Sequence, residues 1–251
     1  MIAREQEIQA AQYELPYHYI PLRTARGFRS SVHWSWSARY LAGLELVLRT
    51  LEDLEFASLL DVGCGDGRFI REAVRRFAGA EAHGVDYDSG AIALARAMNP
   101  ALNFECRDIA TQALPRRYDA VTMVEVLEHI PPQGVPQFLA GVSAALEDEG
   151  RLVLTVPHAN KRLNEKHFQH FTAEHLRATL ADHFEVESVH PFDRQSRVDR
   201  VLERLLGGTG AHFVVTNERL NAAYFERCLR VCLEAQPEAR CGRLLAVARK
   251  R

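Results

Sequence analysis

Leu59-Leu-Asp-Val-Gly-Cys-Gly-Asp-Gly67 is a short apolar run that ends in three alternating glycines. The apolar-periodic stretch 69–77 follows at once, so the segment reads strand, glycine turn, helix. Glycines at 63, 65 and 67 let the backbone bend sharply and come close to a ligand. The helix amino terminus offers free N–H groups to an anionic group. Asp86 ends the next predicted strand about twenty residues on, where a carboxylate accepts both ribose hydroxyls of a nucleoside. Asp108, just after the third strand, is the third acidic point. The loop by itself suits two kinds of cofactor. A dinucleotide fingerprint needs its third glycine at position 68, which here is Arg68. Asp61 and Asp66 flank the turn; their charge repels a pyrophosphate and favours an α-ammonium group.

Upstream, Leu41, Leu44, Val47, Leu48, Leu51 and Leu54 recur at three- and four-residue steps, which predicts an amphipathic helix over 38–54. Downstream, strand patterns at 58–62, 82–85, 102–106, 118–124 and 151–156 alternate with helical ones at 69–77, 89–98 and 135–146. Such alternation predicts parallel βαβ units with both sheet faces covered. A further helix is expected over 172–182, with Thr172 as its cap and Phe171 and Leu176 at hydrophobic-staple spacing. Late strands at 184–189 and 243–248 suggest an antiparallel edge pair. The expected fold is therefore α/β: a doubly wound, mostly parallel seven-stranded sheet with an antiparallel edge strand, Rossmann-like, behind an N-terminal helical lid. Residues 1–54 make the aromatic lid and its helix; 55–251 make the cofactor-binding domain. A helical insertion at about 193–238 is too short to bury its own core.

The 251 residues are 47% hydrophobic and 25% charged, which excludes a disordered or fibrous chain. A net charge of −2 lacks the basic footprint of a nucleic-acid binder. Five cysteines without a CxxC pair make neither a disulfide framework nor a zinc ribbon. The start, MIAREQEIQA, has no apolar signal region, and no apolar run reaches the ~18 residues of a membrane span. A cytoplasmic location, with no membrane partner, is expected.

LeuLeuAspValGlyCysGlyAspGly, GlyValAspTyr at 84–87 and ArgAspIle at 107–109 together resemble the class I S-adenosylmethionine-dependent methyltransferases. The resemblance spans about 56–189. It implies S-adenosylmethionine as cofactor, with Gly63 and Gly65 at the methionine end and Asp86 on the ribose. Asp108 and Ile109 then meet the adenine, and Tyr87 packs on the base. Asp61, suited to the α-ammonium group, and Glu125, in a loop that lies against the sulfonium, complete the expected cofactor contacts. A nicotinamide-dependent oxidoreductase is the competing reading; Arg68 and the lack of an evident Ser/Tyr-Lys hydride set oppose it.

That loop reads Glu125-Val-Leu-Glu128-His129-Ile-Pro-Pro. If residues 125–129 form one helical turn, Glu125, Glu128 and His129 share a face. His129 is then the candidate catalytic residue, a general base near neutral pH. In a second reading these residues and His167 or His170 bind a divalent cation. In a third they merely hold the loop together. The ubiquinone-biosynthesis O-methyltransferases resemble this chain in the EVxEH element and in the aromatic-Thr stretch before the next helix. Methyltransferases of small-RNA 3′-end 2′-hydroxyls also resemble it and use such a cluster for metal. Their Asp-His-x-Phe-Glu-Trp-Thr signature is here HisPheGlnHisPheThr. No metal is assigned from the sequence; the expected acceptor is a small molecule, methylated on oxygen or nitrogen, rather than nucleic acid.

Tyr13, Tyr17, Tyr19, Phe28, Trp34 and Trp36 precede the cofactor fold, with Arg23, Arg26 and Arg29 among them. They suit either a lid over an amphipathic, anionic acceptor or plain packing. His18 and His33 are the acceptor-site candidates there. His83, His175, His183, His190 and His212 have no partner pattern, and Arg71, Arg75 and Arg76 make a solvated stripe. Cys228 and Cys232, four apart on a helix, are expected to pack inward.

Overall fold

The computed structural model describes residues 4–6, 22–25, 27–29, 34–194, 201, 217–234 and 236–251. Tyr13, Tyr17, His18, Tyr19, Arg26, His33, His212 and the glycines at 207, 208 and 210 lie outside these, as do the side chains of Phe28, Arg29, Trp34 and Trp36.

A short hairpin, β1 (Leu22–Thr24) and β2 (Gly27–Arg29), precedes helix α1 (Trp34–Glu52). Then come β3 (Ser58–Val62), α2 (Arg68–Arg76), β4 (Glu81–Asp86), α3 (Ser89–Met98) and β5 (Asn103–Cys106). The second half runs β6 (Tyr118–Val124), α4 (Val135–Ala145), β7 (Leu146–Pro157), α5 (Ala173–Leu180), β8 (Phe184–Phe192), α6 (Glu218–Leu233) and β9 (Arg243–Lys250). Seven strands form one sheet in the order β5-β4-β3-β6-β7-β9-β8. The contacts from β5 to β7 are parallel, and β9 runs antiparallel to both β7 and β8. The antiparallel strand thus sits one place in from the edge, and β8 is outermost.

The sequence explains this order. Every residue of β3 is buried, as the central strand requires. Leu60, Val62, Val121, Met123, Leu152 and Leu154 point to the face covered by α4 and α5. Leu59, Ala120, Val153, Leu245 and Val247 face the layer made by α1, α6 and part of α2. The leucine stripe of α1 is buried here, and the hairpin packs on α6. Cys228 and Cys232 are buried in this layer, so the inward packing holds. The helix expected at 38–54 begins four residues earlier. β7 starts at Leu146, where the predicted helix 135–146 already becomes strand.

Thr172 caps α5, its hydroxyl accepting from the His175 N–H at 3.1 Å, and Phe171 and Leu176 are both fully buried. At the base of the sheet the Asp119 carboxylate accepts from the Ala57 and Ser58 N–H groups and the Ser58 hydroxyl, at 2.8–3.0 Å. This pins β6 beside β3. The strand order reverses between these two, and in open α/β sheets the ligand crevice lies at that point, outside the carboxyl ends of the strands. Among the described residues no helix is long and apolar enough to cross a membrane.

Helix α4 approaches the loop after β5 so closely that a Cβ at Gly141 would lie 2.0 Å from the Ile109 carbonyl oxygen. Gly141→Ala must push helix and loop apart. It is expected to cost about 1–3 kcal/mol, read as a lowered urea midpoint at unchanged m-value.

Candidate active site

Gly63 (φ 72°), Gly65 (φ 54°) and Gly67 (φ 79°) carry the chain from β3 into α2. At Gly63 a Cβ would lie 2.6 Å from Val126 Cγ2, so the turn rests directly on the loop after β6. The Gly63 and Cys64 N–H groups donate to the Val85 carbonyl at 2.8 and 3.0 Å. The Gly65 N–H donates to one oxygen of Asp86 at 3.0 Å, and the Asp88 N–H to the other at 2.9 Å. Asp86 is 7% exposed, and burial pushes its carboxyl up to about 6 against those donors. Asp61, 2% exposed, accepts from the Thr122 hydroxyl at 2.7 Å. Burial pushes it up to about 7; Thr122 opposes the rise and the charge of Asp86 adds to it.

A cavity of about 300 Å³ opens at the carboxyl ends of β3 to β6. That volume is at the lower end of the ~300–1,000 Å³ of small-molecule sites. Gly63, Asp86, Tyr87, Asp108, Ile109, Glu125 and His129 all line it. Asp61 and Gly65 do not; the Asp61 carboxylate is held by the Thr122 hydroxyl. Tyr87 is 47% exposed at the rim, and Asp108 uses its carboxylate on the Ala110 N–H and the Thr111 hydroxyl. Glu5 and Gln6, from the amino-terminal segment, also touch the cavity.

Residues 125–129 do not form one helical turn. Glu125 has φ 58°, and only Leu127–His129 make a 3-10 turn. The left-handed residue sends the Glu125 carboxylate to Arg243, whose Nε donates at 3.0 Å, while Glu128 and His129 remain together. Burial alone would raise the Glu125 carboxyl, but the charges of Arg243 and Lys161 hold it below its ordinary value. Glu128 is fully buried and neither of its oxygens has a hydrogen-bond partner. Burial, then the nearby Glu125 charge, pushes it well above the usual carboxylate range.

His129 Nδ1 lies 2.8 Å from the Lys166 carbonyl. A carbonyl only accepts, so Nδ1 carries the hydrogen and Nε2 keeps its lone pair. Nε2 is 3.9 Å from Glu128 Oε1. Burial and the Lys166 charge lower His129 to about 4. His167 packs edge-on against it, ring centres 4.7 Å apart. His170 Nδ1 donates to the Lys161 carbonyl at 3.1 Å, which leaves its Nε2 to accept from His167 Nδ1 at 2.8 Å. His167 therefore also keeps an Nε2 lone pair, with Asn164 Nδ2 3.3 Å away as a donor. Its pKa falls to about 2, chiefly through burial and then through the charge of His129. Glu128, His129 and His167 each offer one donor atom, all within 4.8 Å of one another.

Sequence reasoning passed over the groups that brace this site. Asp193 (φ 57°) accepts from Arg39 at 2.6 Å, Lys161 at 2.9 Å and Arg243 at 3.0 Å. Arg243 also holds Glu125, 118 positions away. Only the fold joins such distant residues, so the pattern gave no local signal. His158, which pairs with Glu238 at 3.1 Å, was missed for the same reason.

Comparison with known proteins agrees with this geometry. The methyltransferase domain family matches residues 33–192, and the chain belongs to it. Its class is that of the S-adenosylmethionine-dependent methyltransferases with the class I, Rossmann-like fold. The chain is similar to a ubiquinone biosynthesis O-methyltransferase of Alkalilimnicola ehrlichii, 38% identical over 94 residues, which cover 35% of this chain and 37% of that one. It is also similar to the mitochondrial ubiquinone biosynthesis O-methyltransferase of Schizosaccharomyces pombe, 29% identical over 57% of this chain and 51% of the relative. The matched stretches thus span from about a third to a half of these curated relatives. In fold it resembles the N-methyltransferase NodS of Bradyrhizobium japonicum, solved with S-adenosyl-L-homocysteine: TM-score 0.54, 14% identity, covering 83% of this chain and 85% of that one.

Imidazole NMR between about pH 5 and 8 will find neither His129 nor His167 titrating, both with hydrogen on Nδ1. An unfolded histidine takes up its proton near 6.5, whereas folded His129 does so only near 4. The unfolded state binds more protons in that interval, so this residue's contribution to stability falls as pH drops through it.

Proposed function

We propose that the protein transfers a methyl group from S-adenosylmethionine to a hydroxyl of a small-molecule acceptor. The carrying observation is that one cavity gathers Gly63, Asp86, Tyr87, Asp108, Ile109, Glu125 and His129 in its wall. The similarity to ubiquinone biosynthesis O-methyltransferases favours oxygen over nitrogen as the acceptor atom and a small molecule over RNA.

The residues fit the cofactor. Each Asp86 oxygen already accepts one N–H and retains a lone pair for a ribose hydroxyl. Ile109 and Tyr87 offer apolar surface for the base, with Asp108 at its polar edge. The bent backbone at Gly63 leaves room for the methionine end, and Gly65, behind it, holds Asp86 in place. Asp61, in the strand that leads into the turn, adds negative charge when ionised, where an α-ammonium group is expected. Bound there, the cofactor supplies an electrophilic methyl on its sulfonium. Glu125, fixed by Arg243, faces that end of the cavity.

On the acceptor side His129 is the catalytic residue of this reading. Its Nε2 lone pair accepts the hydroxyl hydrogen and orients the oxygen towards the methyl. With a pKa of about 4 the ring stays neutral at working pH and passes a proton on to water rather than keeping it. Most of the acceleration then comes from alignment of an in-line displacement. Glu5 and Gln6 line the cavity, which supports the reading of an amino-terminal lid.

S-Adenosylhomocysteine is expected to bind saturably in calorimetry, and NADH not at all; the reverse result overturns the reading. Because Asp86 must be ionised to accept ribose hydroxyls, affinity will fall by up to about tenfold per pH unit below about 6. Asp86→Asn should remove that dependence. With a panel of phenolic, amine and RNA acceptors, turnover is expected on a phenolic compound. His129→Ala should lower kcat by about 10²–10⁴, with cofactor affinity unchanged.

A further inference from the structure

We infer that Glu105 and Arg107 form a clasp that positions the loop after β5, and with it the nucleoside end of the bound cofactor. The clasp stands on its own hydrogen bonds; its meaning for binding rests on the proposed cofactor contacts at Asp86, Asp108 and Ile109. Glu105 does not line the cavity and acts only through Arg107, so it is a positioning residue.

The loop has to be held in place from outside. Residues 108–111 all line the cavity, yet the chain from 107 to 117 contains no helix or strand. Several of its hydrogen bonds are local. The Thr111 and Gln112 N–H groups donate to the Asp108 carbonyl at 3.1 and 2.8 Å, and the Gln112 side chain accepts from the Asp108 N–H at 3.0 Å. Such bonds shape a loop without fixing it to the sheet. Helix α4 holds the middle, where Gln137 Nε2 donates to the Ala110 carbonyl at 3.1 Å and Gly141 approaches Ile109. Arg107 holds both ends. Its N–H donates to the Asp86 carbonyl at 2.8 Å, which ties the near end to the strand of the ribose carboxylate. Its Nη1 donates to the Ala113 carbonyl at the far end.

A long side chain gives up much rotamer freedom to keep one pose, and Glu105 supplies the interaction that offsets this loss. It lies two residues before Arg107, so in extended chain the two side chains leave the same face. Arg107 Nε and Nη2 both donate to Glu105 Oε1, Nε at 2.9 Å. Those bonds hold the Glu105 carboxyl below its ordinary value. With Arg107 23% and Glu105 34% exposed, water screens the pair, and it contributes geometry more than stability. Glu105 is itself backed by the sheet. His83 Nε2 lies 4.0 Å from its other oxygen, and His83 Nδ1 lies 2.6 Å from the hydroxyl of the buried Tyr118. A hydrogen on Nε2, facing the carboxylate, leaves Nδ1 to accept from the tyrosine. Arg107 matters as charge too. Among the described residues of the cavity wall it is the only lysine or arginine, in a wall that holds Asp86, Asp88 and Asp108. Its guanidinium bonds go to Glu105 and Ala113, so it offsets repulsion among those carboxylates without occupying them.

The test is calorimetric titration of the full-length protein and its variants with two probes. One is S-adenosylhomocysteine; the other is 5′-methylthioadenosine, which keeps the nucleoside and lacks the amino-acid end. Glu105→Ala should weaken both by the same factor, about tenfold, the worth of one charge-assisted hydrogen bond. Glu105→Gln, whose amide oxygen still accepts, should weaken both by only about threefold. Because Glu105 works through Arg107, Arg107→Ala and the double variant should bind alike, with no further loss from the second change. Should Glu105→Ala fail to fold, Arg107→Lys takes its place: it keeps the charge, cannot grip Glu105 and Ala113 together, and should also weaken both probes by about tenfold. Unchanged affinity in folded variants, a loss confined to S-adenosylhomocysteine, or additive losses in the double variant overturns the inference. If the unaltered protein binds S-adenosylhomocysteine and the variants bind it equally well, the clasp fails and the cofactor reading stands. If the unaltered protein binds neither probe, the cofactor reading fails and the role of the clasp falls with it.

Discussion

A single buried carboxylate, Asp193, holds together the structure around Glu125 and the imidazole cluster. It is 2% exposed, and Arg39 of α1, Lys161 of the loop after β7 and Arg243 at the start of β9 converge on it. Burial would raise its carboxyl, but those three cations hold it far below the ordinary range. Each member is costly to bury alone and tolerable only in company, so the cluster forms as a whole or not at all. From it the bracing extends to the cavity wall: Arg243 reaches onward to Glu125, and the Lys161 main chain reaches to His170. The charges that brace the site are thus drawn from the first helix, the last strand and the loop between.

The glycine turn and the loop after β5 depend on a different constraint, close backbone approach. The glycine turn lies on Val126, and Gly141 lies on the Ile109 carbonyl. These two contacts set the glycine turn and the loop after β5, both in the cavity wall, without any charged group. The halves meet at Val126, which packs on Gly63 and directly succeeds Glu125 in the chain. A shift of the loop after β6 is therefore felt at the glycine turn, and the reverse holds too.

Much of this was legible in the sequence, for reasons that differ by region. The strand–turn–helix at 59–77, the alternating elements and the capped helix at Thr172 depend on local period and local chemistry, which a window of residues contains. Asp86 and Asp108 stood out because one ends a strand and the other follows closely on the next. Four kinds of feature were not legible. The left-handed backbone at Glu125 cannot be seen in a non-glycine residue, so the expected helical turn was wrong there. The partners of Asp193 and Glu125 are joined only by the fold. The position of β9 inside the edge comes from pairing, not pattern. Asp61 was chosen for its place in the glycine motif, but its hydrogen bond to Thr122 joins residues that only the fold brings together.

Inheritance of the imidazole cluster depends on main chain as much as on side chains. The groups that fix the hydrogens of His129 and His170 are the carbonyls of Lys166 and Lys161, not their side chains. Any amino acid at either position offers the same acceptor, provided the path of the loop is kept. The protonation pattern is therefore encoded in the course of the backbone, and residue identity at 161 and 166 is free to drift as far as the tautomers are concerned. A comparison of aligned letters between relatives would pass over both positions, whereas insertion or deletion of one residue between them would scramble the arrangement without altering a single histidine.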